Sequence, residues 1–109
     1  MAVYNQGDIV EVDFDPTKGH EPANKRPALV VSSYDFNVST SMTIVCPIST
    51  RENPFFLHER LPDRLGVEGF VIMEQVRSID LDARATKYLT RLPDEFLVPI
   101  LLCLKSFFE

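Results

Sequence analysis

The chain has 109 residues, 45% of them hydrophobic and 25% charged, with a formal net charge of -5. That length and balance fit one globular domain over residues 1–109, and a mean hydropathy of -0.01 without an apolar run near ~20 residues excludes a membrane-spanning helix. The opening MAVYNQGDIVEVDFD has neither the basic nor the apolar region of a secretory signal, so the chain reads as cytoplasmic.

Gly7-Asp8 opens a run in which Val10, Val12 and Phe14 alternate with Glu11, Asp13 and Asp15, the period of a half-buried strand, and Pro16 ends it. Thr17 to Lys25 (TKGHEPANK) is polar and turn-rich and reads as a loop longer than a usual hairpin connection. After Arg26 and Pro27, ALVVSSY reads as a second, largely buried strand, and Tyr34 to Ser41 as a turn or one helical turn. Met42 to Ser49 reads as a third strand with Pro47 near its end, Phe55 to Leu61 and Gly69 to Val76 as two more, and Tyr88 to Leu92 as a short sixth. The period then changes. Phe96, Leu97, Ile100, Leu101, Leu104 and Phe108 recur at helical spacing behind Pro93, which suits a first helical position, and Pro99 lies inside the helix and is expected to kink it. Val98, Leu102 and Cys103 widen its apolar surface, so the helix is either deeply packed or meets another subunit. Five to six short strands and one terminal helix describe a mainly β fold, a small, strongly curved antiparallel sheet or open barrel.

Cys46 and Cys103 are far apart in apolar surroundings and read as buried free thiols. With only His20 and His58 besides, a metal site has little material, and no metal or cofactor is expected. A pI near 5.0 argues against sequence-blind attraction to nucleic acid. The charge is uneven, however: four acidic residues precede the first base, whereas Lys18, Lys25, Arg26, Arg51, Arg60 and Arg64 crowd the middle, compatible with a small basic site on an acidic body.

Four segments in order, GDIVEVDFDPTKGHE (from Gly7), RPALVVS (from Arg26), VCPIS (from Val45) and EQVRSID (from Glu74), resemble the MazF/PemK family of toxins from bacterial toxin-antitoxin pairs. The resemblance covers Gly7 to Asp80, more loosely the helix. It implies an SH3-like barrel that forms a homodimer and cuts single-stranded RNA, typically messenger RNA, at specific sequences without a metal. The ribose 2′-hydroxyl attacks the adjacent phosphorus, leaving a 2′,3′-cyclic phosphate and a 5′-hydroxyl. The implied partner is a MazE-like antitoxin that lays an acidic, extended tail over the RNA groove.

Such chemistry needs a donor for charge developing on phosphoryl oxygens, and a guanidinium offers five donors in a fixed fork. From position alone Arg26 is an ordinary surface arginine at a strand start; the family position makes it the catalytic candidate. The family's threonine at the end of the third strand aligns with Ser49, and Thr50 is the alternative if the register shifts by one, since neighbouring strand residues face opposite sides. Glu21 matches an acidic loop position that orients Arg26 or moves a proton; Pro22 follows it where the family often has Gln, which bears on base recognition. Lys18, His20, Lys25 and Arg51 are candidate substrate contacts, and Gln75 a reader of base edges. Arg77 either contacts phosphate or pairs with Asp80 or Glu74. His58 reads as structural or as a stacking accessory. Phe55, Phe56 and Tyr34 offer stacking faces, although aromatics more often serve a core.

Two rival readings stay open: a non-enzymatic gyrase poison with the same barrel, similar to the CcdB family, and a catalytically silent scaffold that binds an antitoxin-like peptide. The first needs the end of the C-terminal helix to insert into its target, whereas this chain ends SFFE.

Overall fold

The computed structural model describes residues 2–15, 24–51, 55 and 57–109. Strand β1 (Asp8–Asp15) keeps the alternation read from its sequence, with Val10 and Val12 wholly buried. Ile9, out of phase with them, is equally buried, because helix α2 (Asp94–Ser106) covers the other face of the sheet there. The strand is therefore buried on both faces at its start, not half-buried throughout.

β1 lies between β2 (Asn24–Val30) and β7 (Thr86–Arg91), both antiparallel to it. The polar stretch after β2 folds into a helix, α1 (Tyr34–Thr40), longer than the single turn expected. Ser33 caps it by accepting from Phe36 N, and buried Asn37 ties it down by donating to the Tyr4 carbonyl at 2.9 Å. β3 (Thr43–Ser49) then pairs with β2, and the hairpin of β4 (His58–Arg60) and β5 (Phe70–Ile72) adds to its other edge near the end.

The returning chain departs from the expected single strand over Gly69 to Val76. After β5 it makes a 3-10 turn, Met73–Gln75, and resumes as β6 (Arg77–Ile79) against the first half of β3. Ile48 faces Val71 while Val45 faces Arg77, so three steps along β3 correspond to six along its neighbour. The extra residues bulge outward and carry Glu74 and Gln75 with them. Counting β6, the described sheet has seven strands in the order β4-β5-β3-β2-β1-β7 with β6 beside β3. No ladder joins β4 to β7 among the described residues, so the barrel is open.

One core cluster gathers Ile9, Leu29, Cys46, Ile48 and Val71 against Leu97, Ile100 and Leu104 of α2. A second fills the other face with Val10, Val12, Ala28, Val30, Val45, Ile79 and Leu81. Pro93 is the N-cap of α2 rather than its first helical residue, its carbonyl accepting from Phe96 N and Leu97 N. No described helix is long and apolar enough to cross a membrane. At the far end of β1, Arg84 Nη1 donates to the carbonyls of Asp13 and Phe14 at 2.9 and 2.7 Å, fixing the point at which the chain leaves that strand.

Candidate active site

The site grows out of the register of β2 and β3. Ala28 lies opposite Pro47, and the same antiparallel register carried two residues outward sets Arg26 across from Ser49. Side chains alternate, so these two share the face that also carries Ala28 and Pro47, whereas Thr50 falls on the other parity. On the opposite edge of β3, Ser49 faces Phe70, and two rows inward Ile72 faces His58 of β4. Gly69 permits this approach. It has φ +133°, and a Cβ there would stand 2.6 Å from the Ser49 carbonyl oxygen.

These strand ends enclose a groove of about 670 Å³. It brings together Lys25, Arg26, Ser49, Thr50, Arg51 and Gln75, all expected from the sequence, and adds His58 and Glu74. Arg77 stands elsewhere, its guanidinium 5.7 Å from the centre of the Phe14 ring. Tyr34, half exposed on α1, borders a different surface groove with Tyr4, Tyr88 and Arg91. Phe55 meets the His58 ring edge-on, with centroids 5.2 Å apart. Lys18, His20, Glu21 and Phe56 lie outside the described residues.

Within the groove, Ser49 Oγ accepts from Arg51 N at 3.2 Å, which holds the hydroxyl in place while its own hydrogen can still be donated. His58 Nε2 lies 2.8 Å from Glu74 Oε2. The sequence did not signal this pair: the two residues are far apart in the chain and meet only through the β4–β5 register and the 3-10 turn. Beneath the groove, burial pushes the Cys46 thiol up to about 12, with a smaller push from the Glu74 charge. Such a thiol stays protonated and is no nucleophile near neutral pH. Among the described residues no three His, Cys, Asp or Glu side chains converge as metal ligands.

Three cations and two hydroxyls on one side of an open β-barrel define a small protein shaped for an extended anionic ligand. The family model for PemK-like, MazF-like toxins of type II toxin-antitoxin systems matches residues 5–108, and the chain belongs to that family. It is 41% identical to the endoribonuclease toxin MazF of Escherichia coli K12 over 96 residues, covering 85% of this chain and 84% of the relative. To the endoribonuclease toxin ChpB of the same strain it is 40% identical over 114 aligned positions, covering 97% and 95%. A crystal structure of MazE-MazF from Deinococcus radiodurans superposes with a TM-score of 0.88 at 32% identity, covering 99% of this chain and 97% of that one. The barrel expected from the resemblance is thus the fold observed.

Proposed function

We propose that this chain is the endoribonuclease of a type II toxin-antitoxin pair, acting in the cytoplasm on single-stranded RNA without a metal ion. The observation that carries the reading is the shared face and shared groove of Arg26 and Ser49. In the proposed reaction the ribose 2′-oxygen loses its proton and attacks the adjacent phosphorus. The 5′-oxygen leaves and takes up a proton, giving a 2′,3′-cyclic phosphate and a 5′-hydroxyl. The Arg26 guanidinium bonds the phosphoryl oxygens as their charge develops, worth most if the groove excludes water. Ser49 donates to a phosphoryl oxygen or fixes the 2′-hydroxyl, and Glu21 orients Arg26 or moves a proton. Lys25 and Arg51 neutralise flanking phosphates, so binding weakens with salt, on a shallow slope because few phosphates are contacted. Thr50 and Gln75, with Lys18 and His20 from the Thr17 to Lys25 segment, contact the substrate, and Arg77 is kept for a flanking phosphate.

The same groove suits the acidic tail of a MazE-like antitoxin. On α2, Val98 and Leu102 are exposed at 50% and 61%, and Phe108 beyond it at 84%, an apolar surface that suits a homodimer.

The test is incubation of the wild type and Arg26→Ala with long, mixed-sequence RNA in EDTA, mapping cut ends and their phosphate state. Discrete cuts ending in 2′,3′-cyclic phosphate are expected from the wild type, with a loss of about 10²- to 10⁴-fold in Arg26→Ala while its fold persists. An uncut RNA pool would defeat the reading in favour of gyrase poisoning or a silent scaffold.

A further inference from the structure

Glu74 is a carboxylate in a groove whose cations are Lys25, Arg26 and Arg51, and its position is not left to chance. The 3-10 turn fixes its backbone, with Val76 N donating to the Met73 carbonyl at 3.2 Å. His58 fixes its side chain through the 2.8 Å contact between Nε2 and Oε2. A carboxylate only accepts, so the His58 ring carries its hydrogen on Nε2. The two residues differ in access: the His58 side chain is 5% exposed, packed behind Phe55, whereas that of Glu74 is 37% exposed. A ligand in the groove therefore meets far more of Glu74 than of the imidazole. What it meets is a carboxylate held by one oxygen, with further capacity to accept, next in the chain to Gln75.

A phosphate is repelled by such a group, so the part of a nucleic acid strand that suits it is a base. We infer that Glu74, held in place by His58, selects at one position of the cut site a base bearing an exocyclic amino group and disfavours uracil. The amino groups of cytosine, adenine and guanine donate to a carboxylate. Uracil offers only its N3 hydrogen, flanked by two carbonyl oxygens that the carboxylate repels. His58 is a positioning residue here. This inference rests on the ribonuclease reading and sharpens it by assigning part of its sequence choice.

The test is cleavage of a randomised RNA pool by the wild type, Glu74→Gln, His58→Gln and His58→Leu, each first shown to melt cooperatively, with the base frequencies around every cut counted. The wild type is expected to disfavour uracil about tenfold or more at one position, the range of a hydrogen bond to a charged group. In Glu74→Gln the amide oxygen takes the His58 hydrogen and the amide nitrogen faces the base, so the preference at that position alone turns toward uracil. His58→Gln, which still donates, keeps the wild-type preference, and His58→Leu flattens it. An unchanged base preference in Glu74→Gln overturns the inference while leaving the nuclease reading intact. Complete loss of cutting in a folded Glu74→Gln also overturns it, because Glu74 would then serve the chemistry rather than the choice of base. A wild type that cuts no RNA defeats the ribonuclease reading itself and this inference with it.

Discussion

The two halves of β3 do opposite work. Along Thr43 to Val45 the strand is sealed between β2 and β6, with Val45 wholly buried in the second core cluster. Along Ile48 and Ser49 it meets β5 instead, and the chain continues into Thr50 and Arg51 at the groove. One continuous strand thus runs from rigid core to reactive edge. The difference is made by the neighbour and not by β3 itself, for the 3-10 turn between β5 and β6 opens the sheet edge where the groove begins. Such a site has its key side chains on strand ends braced by packing, a more defined mounting than a loop provides.

The comparison can be broken first at its buried half. Leu29, opposite Cys46 and wholly buried, is expected to cost about 2–5 kcal/mol of stability as Leu29→Ala, measured by denaturant unfolding, while the protein still folded keeps its cut-site preference. A change in preference would show that core and groove are not separable.

Gly69→Ala strikes where the halves meet. A side chain at φ +133° that also collides with the Ser49 carbonyl is expected to cost about 1–3 kcal/mol and to lower cleavage by displacing Ser49. Loss of stability with full cleavage would separate the Gly69 turn from the site.

At the reactive edge, Ser49→Ala is expected to slow cleavage about tenfold and Thr50→Ala far less, because only Ser49 shares the Arg26 face. The reverse order, measured as kcat/KM on one RNA, would shift the register of that strand end by one residue.

The smallest effect is read in the thiols. Cys46 is wholly buried and Cys103 half-buried, so a thiol reagent at pH 8 is expected to modify Cys103 first and Cys46 only on unfolding. The folded Cys46 thiol, pushed up to about 12 from 9.0, remains protonated where the unfolded thiol ionises. Its contribution to stability is therefore complete below pH 9.0 and is lost as pH rises towards about 12, visible as a falling melting temperature that Cys46→Ala removes.

What the sequence revealed follows from what its pattern encodes. The alternation of Val10 and Val12 and the helical spacing of Leu97, Ile100 and Leu104 reflect burial on a face, and both were legible. The burial of Ile9 was not, because it depends on a helix that arrives at the end of the chain. β6 was hidden for a related reason: MEQV continues the apolar run of GFVI closely enough to read as one strand ending at Val76, and a three-residue bulge leaves no signature in period. Among the groove residues, Arg26, Ser49 and Gln75 stood out through ordered motifs. Glu74 opens one of those motifs and His58 reads as structural or a stacking accessory, but their pairing was not legible, since nothing local to either announces a partner across a hairpin.

The order in which the strands are made has its own meaning for the cell. β1 is synthesised first, yet β7 pairs with it, and the core cluster of Ile9 and Leu29 is completed by Leu97, Ile100 and Leu104 of α2. Every described groove residue, from Lys25 to Gln75, therefore leaves the ribosome before the helix that completes the core beneath it. Domains fold as units, so a chain stopped at Leu92 is expected to stay protease-sensitive although it carries the whole described groove sequence. The last helix completes the core, and a chain truncated before it is expected to cut no RNA.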